Sequence, residues 1–197
     1  MRAVRILLLV VALVAAGCSS DDDEPGAEDR PTTTTTAAPT TSSTTPTTTV
    51  PFEGTTEASS LPLARDDTAL LETVVLGSDA GVDSVAFTFR GLGIPKVDAE
   101  YVEEATADGS GDRVEVVGGA ILRLRFEPAA THDLRGEVPE PVYEGPARVR
   151  GGTTTVTEAV LGGAFEGVVT FFVGVREEAP YRLEAEGGRV MLLVGSP

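Results

Sequence analysis

The chain has no tryptophan, one cysteine, one histidine and two methionines among 197 residues, and only 15 Lys and Arg against 31 Asp and Glu, for a formal charge of -16. Each scarcity excludes something. A single cysteine, Cys18, closes no disulfide within the chain, so a folded domain must rest on its hydrophobic core, which about 130 residues can supply. One histidine and one cysteine do not provide the nitrogen and sulfur ligands of a zinc site. There is no GxSxG, and His132 sits in a Pro-rich stretch with no nucleophile beside it, so hydrolysis through a Ser or Cys nucleophile is not indicated. The acidic excess argues against nucleic acid, whose phosphates need clustered Lys and Arg, and against electrostatic adhesion to anionic lipid. No cofactor is called for.

What is present begins at the N-terminus. Arg2 and Arg5 precede the apolar residues 6–16, which stop at Gly17-Cys18-Ser19-Ser20. Basic residues, an apolar core of roughly 7 to 15 residues and small residues before a cut make a secretory signal, and a run of roughly 11 residues is too short to span a bilayer. Residues 1–17 are therefore read as a signal peptide and everything downstream as extracytoplasmic. Val14-Ala15-Ala16-Gly17-Cys18 resembles the bacterial lipobox, with Ala15 where leucine is commonest. That resemblance implies cleavage before Cys18 and a diacylglycerol on its thiol, placing the protein on the outer face of the cell membrane through a lipid anchor. Two or three acyl chains hold firmly where one is marginal, at about 0.8 kcal/mol per buried CH₂.

Residues 18–65 read as a linker. An acidic run, Asp21-Asp22-Asp23-Glu24, is followed by PTTTTTAAPTTSSTTPTTTV over residues 31–50. The tract has no apolar periodicity and cannot offset its ordering entropy, so it is expected to be disordered. As a flexible coil of about 45 residues it would span about 37 Å, a tether that stands a domain off the membrane.

Over residues 66–197 the period changes to two. In residues 83–90, Val85, Phe87 and Phe89 share one face. In residues 121–126, Leu122, Leu124 and Phe126 share one and Arg123 and Arg125 the other. This is the alternation of half-buried antiparallel strands. Further strands are expected at 70–76, 96–103, 113–117, 154–161, 168–175, 181–186 and 189–194. Gly187-Gly188 between two alternating runs is a strong hairpin signal. Closely spaced short strands without a helical run predict an all-β chain, an antiparallel β-sandwich. Residues 128–152, rich in Pro, Gly and charge, break the rhythm and read as a long loop, a feature that is often functional or mobile.

The segments Gly81-Val82-Asp83-Ser84-Val85-Ala86-Phe87-Thr88-Phe89, VEVVGGAILRLRF at 114–126, VLGGAFEGVV at 160–169, Phe172-Val173-Gly174-Val175 and Pro180-Tyr181-Arg182-Leu183 resemble the AMIN-like domain of actinobacterial envelope lipoproteins. Phe165-Glu166-Gly167-Val168 and its spacing to Gly174 and Tyr181 carry most of the likeness. AMIN domains proper are β-sandwiches of envelope proteins such as amidases and secretins, which they target to the cell wall by binding peptidoglycan. The resemblance implies a non-catalytic envelope domain; an anchor, a spacer and a sheet-rich domain without a catalytic constellation add the expectation that it binds cell wall or, alternatively, docks another envelope protein.

Several residue groups are candidates for chemistry. Asp108, Ser110 and Asp112 alternate like the first ligands of a calcium loop, but Arg113 and Gly119 stand where glycine and a bidentate glutamate are required, so a plain turn is expected. Glu103-Glu104 and Glu177-Glu178 lie near turns, and adjacent residues of a strand point to opposite faces, so they read as solvated charge and not as the facing acids of a glycosidase. Arg90, Arg123 and Arg125 lie on polar strand faces, where a guanidinium forks a ligand carboxylate or pairs with a neighbouring strand's acids. With Phe165, Glu166 and Tyr181 they make up the candidate binding set.

Overall fold

The computed structural model describes residues 51–64 and 67–197. Residues 1–17, read as a signal peptide, Cys18, and the stretch read as a linker as far as residue 50 lie outside the described residues. Within them the chain forms strands and no helix. β1 (Ser59–Leu61), β2 (Ala69–Asp79), β3 (Val82–Phe89), β4 (Lys96–Val102) and β5 (Ala120–Glu127) come first. The short β6 (Ala129–Ala130), β7 (His132–Asp133), β8 (Glu140–Pro141) and β9 (Arg148–Val149) follow. Then come β10 (Val156–Phe165), β11 (Val168–Val175), β12 (Tyr181–Glu186) and β13 (Arg189–Val194).

Two sheets pack face to face. One runs β1-β4-β5-β11-β10-β9, the other β12-β13-β3-β2-β6, and all pairs in them are antiparallel except β2 with β6. The alternation in the sequence decides which side chains meet. Phe87 and Phe89 from β3 face Phe126 from β5 and Phe171 from β11, with ring centroids 4.7 Å apart for Phe87–Phe126 and 5.2 Å for the edge-on Phe87–Phe171 pair. Val85, Leu122, Leu124, Val173 and Leu192 fill the rest of the layer and are fully buried. Each such side chain contributes about 1.5–3 kcal/mol, and the edge-on rings add attraction between ring edge and ring face.

Three hairpins close with two residues at positive φ: Ala80 and Gly81 at 49° and 83°, Glu166 and Gly167 at 50° and 79°, Gly187 and Gly188 at 57° and 79°. That backbone matches the right-handed twist of the flanking strands. The turns alternate between the two ends of the sandwich. The 166–167 and 187–188 turns, the loop after β3 and the start of β2 share one end, and the 80–81 turn and the C-terminal Gly195 share the other.

Both flanks between the sheets are sealed by segments expected to be irregular. Residues 128–149 are ordered: β6 pairs with β2, β9 pairs with β10, and β7 with β8 makes a small hairpin between them. Tyr143 from this segment packs edge-on against Phe171 at 6.2 Å. Glycine and proline mark the bends, while the apolar residues between them are core. On the other flank, residues 51–61 are structured although they were expected in the linker. β1 pairs with β4, Thr55 bridges Tyr181, and the Phe52 ring lies against Gly195 and 5.1 Å beneath the Arg182 guanidinium. The domain therefore starts before residue 66, and threonine richness alone does not mark its limit.

Residues 113–117, expected to be a strand, join neither sheet. Outside the named strands they make a single bridge, Thr106 to Arg113, and they cross the outer face of the six-stranded sheet. Gly174 leaves room for them, because a Cβ there would collide with the Val117 carbonyl. The crossing is bolted by Glu158, whose side chain is fully buried. Its carboxylate accepts the Val117 N–H at 2.8 Å and pairs with Arg148 and, at 3.0 Å, with Arg150.

Candidate functional site

A cleft of about 510 Å³ opens where β2 begins and β3 ends, walled on its other side by Ala130 and residues 132–135. A bulge in β2 lies beside it. Leu71 pairs with Phe89 and Thr73 with Thr88, so Glu72 is an extra residue in β2, and a bulge re-aims its side chain. Glu72 accepts the Arg90 Nε–H at 3.0 Å. Gly91, at φ 78°, then turns the chain away. Arg90 is thus held by its Nε, and its two Nη groups are left toward the cleft, with Nη1 3.8 Å from Asp133.

Asp133 is gripped from the other side. Arg135 donates Nε–H to Oδ1 at 2.9 Å and Nη2–H to Oδ2 at 2.6 Å, and its backbone N–H adds a third bond at 3.1 Å. These bonds from Arg135 hold the Asp133 carboxyl well below the usual carboxylate range, so it stays an acceptor across the physiological range and has no proton to give. Leu92 and Leu134, 70% and 67% exposed, form apolar shoulders. The arrangement offers guanidinium donors, a carboxylate acceptor and alkyl surface within one concavity, which suits a ligand that is itself both polar and apolar.

The AMIN-like domain family model matches residues 69–194. The chain belongs to the AMIN-like domain family. No curated protein sequence matches the chain, and no solved structure matches it.

The structure distributes the sequence candidates over the AMIN-like domain. Arg90 alone lies in the cleft. Phe165 and Glu166 stand at the same end, in the β10–β11 turn, which is tied to the cleft wall by the Ala129 N–H donating to the Gly167 carbonyl at 2.7 Å. Phe165 is half exposed, and its ring rests against Gly109. Arg123 and Arg125 project from the outer face of β5, away from the cleft, into a shallow depression of about 360 Å³ with Asp98 and Glu100. There Arg123 pairs with Glu100 across the strands.

Tyr181 is a correction. It is fully buried, and its hydroxyl lies 2.8 Å from both the Glu57 and Ala99 carbonyls, so no ligand reaches it. Burial, then the neighbouring Tyr101, pushes its pKa up to about 12. Tyr181 seals the core. Cys18 lies outside the described residues.

Asp108, Ser110 and Asp112 form a turn: the Asp112 N–H donates to Ser110 Oγ at 3.2 Å, and the Asp108 carboxylate accepts the Thr170 hydroxyl. Sequence reasoning missed Glu72, Asp133 and Arg135. Asp133-Leu134-Arg135 carries one usable signal, an acid and a base two apart around an apolar residue in a stretch read as a long loop. Glu72 carried none, since a bulge is a property of two strands together.

Proposed function

We propose that this protein is a lipid-anchored envelope protein whose AMIN-like domain binds the cell wall, either peptidoglycan or an associated polysaccharide, without catalysing a reaction. The observation that carries the reading is the juxtaposition of Arg90, Asp133 and Arg135 between the exposed Leu92 and Leu134. Wall polymers offer hydroxyls, amides, methyl groups and, on peptide stems or uronates, carboxylates. The Arg90 Nη donors fork a carboxylate, Asp133 accepts from hydroxyls, and the leucines cover methyl groups. Family membership supports an extracytoplasmic, wall-associated role. Asp133 does not serve as the protonated acid that a glycosidase needs opposite its carboxylate, because Arg135 keeps it charged.

The anchor reading rests on Cys18 and the signal before it. No helix among the described residues is long and apolar enough to cross a membrane.

Incubation of the full chain with purified wall sacculi tests the binding. The chain is expected to sediment with them, and Arg90→Ala with Arg135→Ala should weaken this about tenfold or more, as loss of charge-assisted bonds of about 1.5–3 kcal/mol requires. A sedimented fraction no larger than that of a control protein would sink the proposal. Cys18→Ala should release the protein from membranes or block its maturation, and a variant still fully bound after salt and carbonate washing would end the lipoprotein reading.

A further inference from the structure

The flank closed by residues 51–61 is closed only in part. The N-terminal segment meets the outer edge of β12 at one place, where Thr55 and Tyr181 exchange N–H···O bonds of 2.9 and 2.8 Å. Beyond Thr55 the chain leaves that edge, because β1 pairs with β4 of the facing sheet. Backbone groups of a strand alternate between its two sides. Tyr181 directs its N–H and C=O outward, so Leu183 and Ala185 do the same, and these four groups have no hydrogen-bond partner among the described residues.

Beside this edge runs a groove of about 610 Å³ walled by Leu61, Leu63, Ile94, Leu183 and Met191. Its charged lining among the described residues is Glu184 and Glu186. Exposed edges are normally blunted by lysine, by proline within the strand or by a bulge. β12 has no lysine, proline or bulge, its charges being Arg182, Glu184 and Glu186: it reads Tyr-Arg-Leu-Glu-Ala-Glu and pairs with β13 without a register shift.

We propose that the free edge of β12 binds an extended peptide segment of a protein partner, one in which apolar residues alternate with basic ones. Two N–H and two C=O groups spaced along a strand are met by another strand, not by a sugar or a lipid chain. A strand added about 4.8 Å from β12 turns every second side chain into the groove, against Leu61, Leu63 and Ile94. The intervening side chains stand on the outer face beside Glu186 and beside Glu184, which Arg182 already pairs at 2.7 Å, so the preference for basic residues comes chiefly from Glu186. A second copy of β12 is the poorer occupant, since antiparallel pairing centred on Glu184 sets one Glu184 opposite the other in a chain of charge -16. This surface is separate from the Arg90 cleft, and the proposal stands whatever the cleft binds.

The test uses the full chain and an acetylated heptapeptide of alternating lysine and valine, followed by titration and by amide hydrogen exchange. The peptide should bind and slow exchange at Leu183 and Ala185 about tenfold or more. The same peptide methylated on its valine amides should not bind, and one with glutamate for lysine should bind at least about tenfold more weakly. Ala185→Pro removes an N–H that the β13 ladder does not use, so it should abolish binding while leaving thermal unfolding within a few degrees of the parent. Ala185→Lys, which keeps the backbone free, should weaken the lysine peptide as well. No binding by the lysine peptide would overturn the proposal, as would binding that survives valine-amide methylation or Ala185→Pro, equal affinity for the glutamate peptide, or self-association through β12 in place of peptide binding.

Discussion

Tyr181 shows how one side chain is fixed by two requirements at once. Its ring fills the core, meeting Tyr101 edge-on at 5.8 Å, and its hydroxyl serves carbonyls from the N-terminal segment and from β4. Tyr181→Phe keeps the ring and removes the donor, and should cost about 1–2 kcal/mol in urea unfolding. The same burial sets a pH dependence. With a folded pKa of about 12 and an unfolded value of about 10, both states hold the proton below pH 10 and the contribution is constant there. Between pH 10 and 12 the unfolded chain ionises first, so stability falls as pH rises. Urea midpoints measured from pH 9 to 12 should decline in the parent and decline less in Tyr181→Phe.

At the scale of elements, the long strands were legible and the crossings were not. β3, β5 and β13 announce themselves because one face is buried and the other is more exposed, and period two follows directly. Residues 113–117 carry valines at 114, 116 and 117, the signature of a strand, yet Val116 and Val117 lie over Gly174 instead. An extended segment and a paired strand make the same pattern, and only the partner distinguishes them. Residues 128–149 failed in the opposite sense, since their glycines and prolines hid Tyr143 and Val142 in the core. The candidate site was legible only at Arg90, through its place at the end of β3; the bulge and the Asp133–Arg135 clamp depend on contacts distant in sequence. The crossing at 113–117 makes its own prediction. Glu158→Ala leaves the Val117 N–H and two guanidiniums without their acceptor and should destabilise by about 3 kcal/mol, and Gly174→Ala should loosen the same segment, seen as faster amide exchange over 114–117 in both variants.

For the domain as a whole, the sealing of both flanks makes its limits wider than the repeating pattern. A chain begun at residue 66 would lack β1, the Thr55 bridge and the Glu57 carbonyl that meets Tyr181. It should unfold at lower urea, and at a temperature lower by about 5 °C or more, than one begun at residue 48. Equal unfolding midpoints would mean that residues 51–61 are passengers. The Phe52 contact with Gly195 carries a further consequence, one of reach. The chain joins the sandwich at the end where the 80–81 turn lies, and the Arg90 cleft is at the other. β3, eight residues long, spans about 26 Å between those ends. The cleft therefore lies about one strand length from the end of the sandwich that residues 51–54 join.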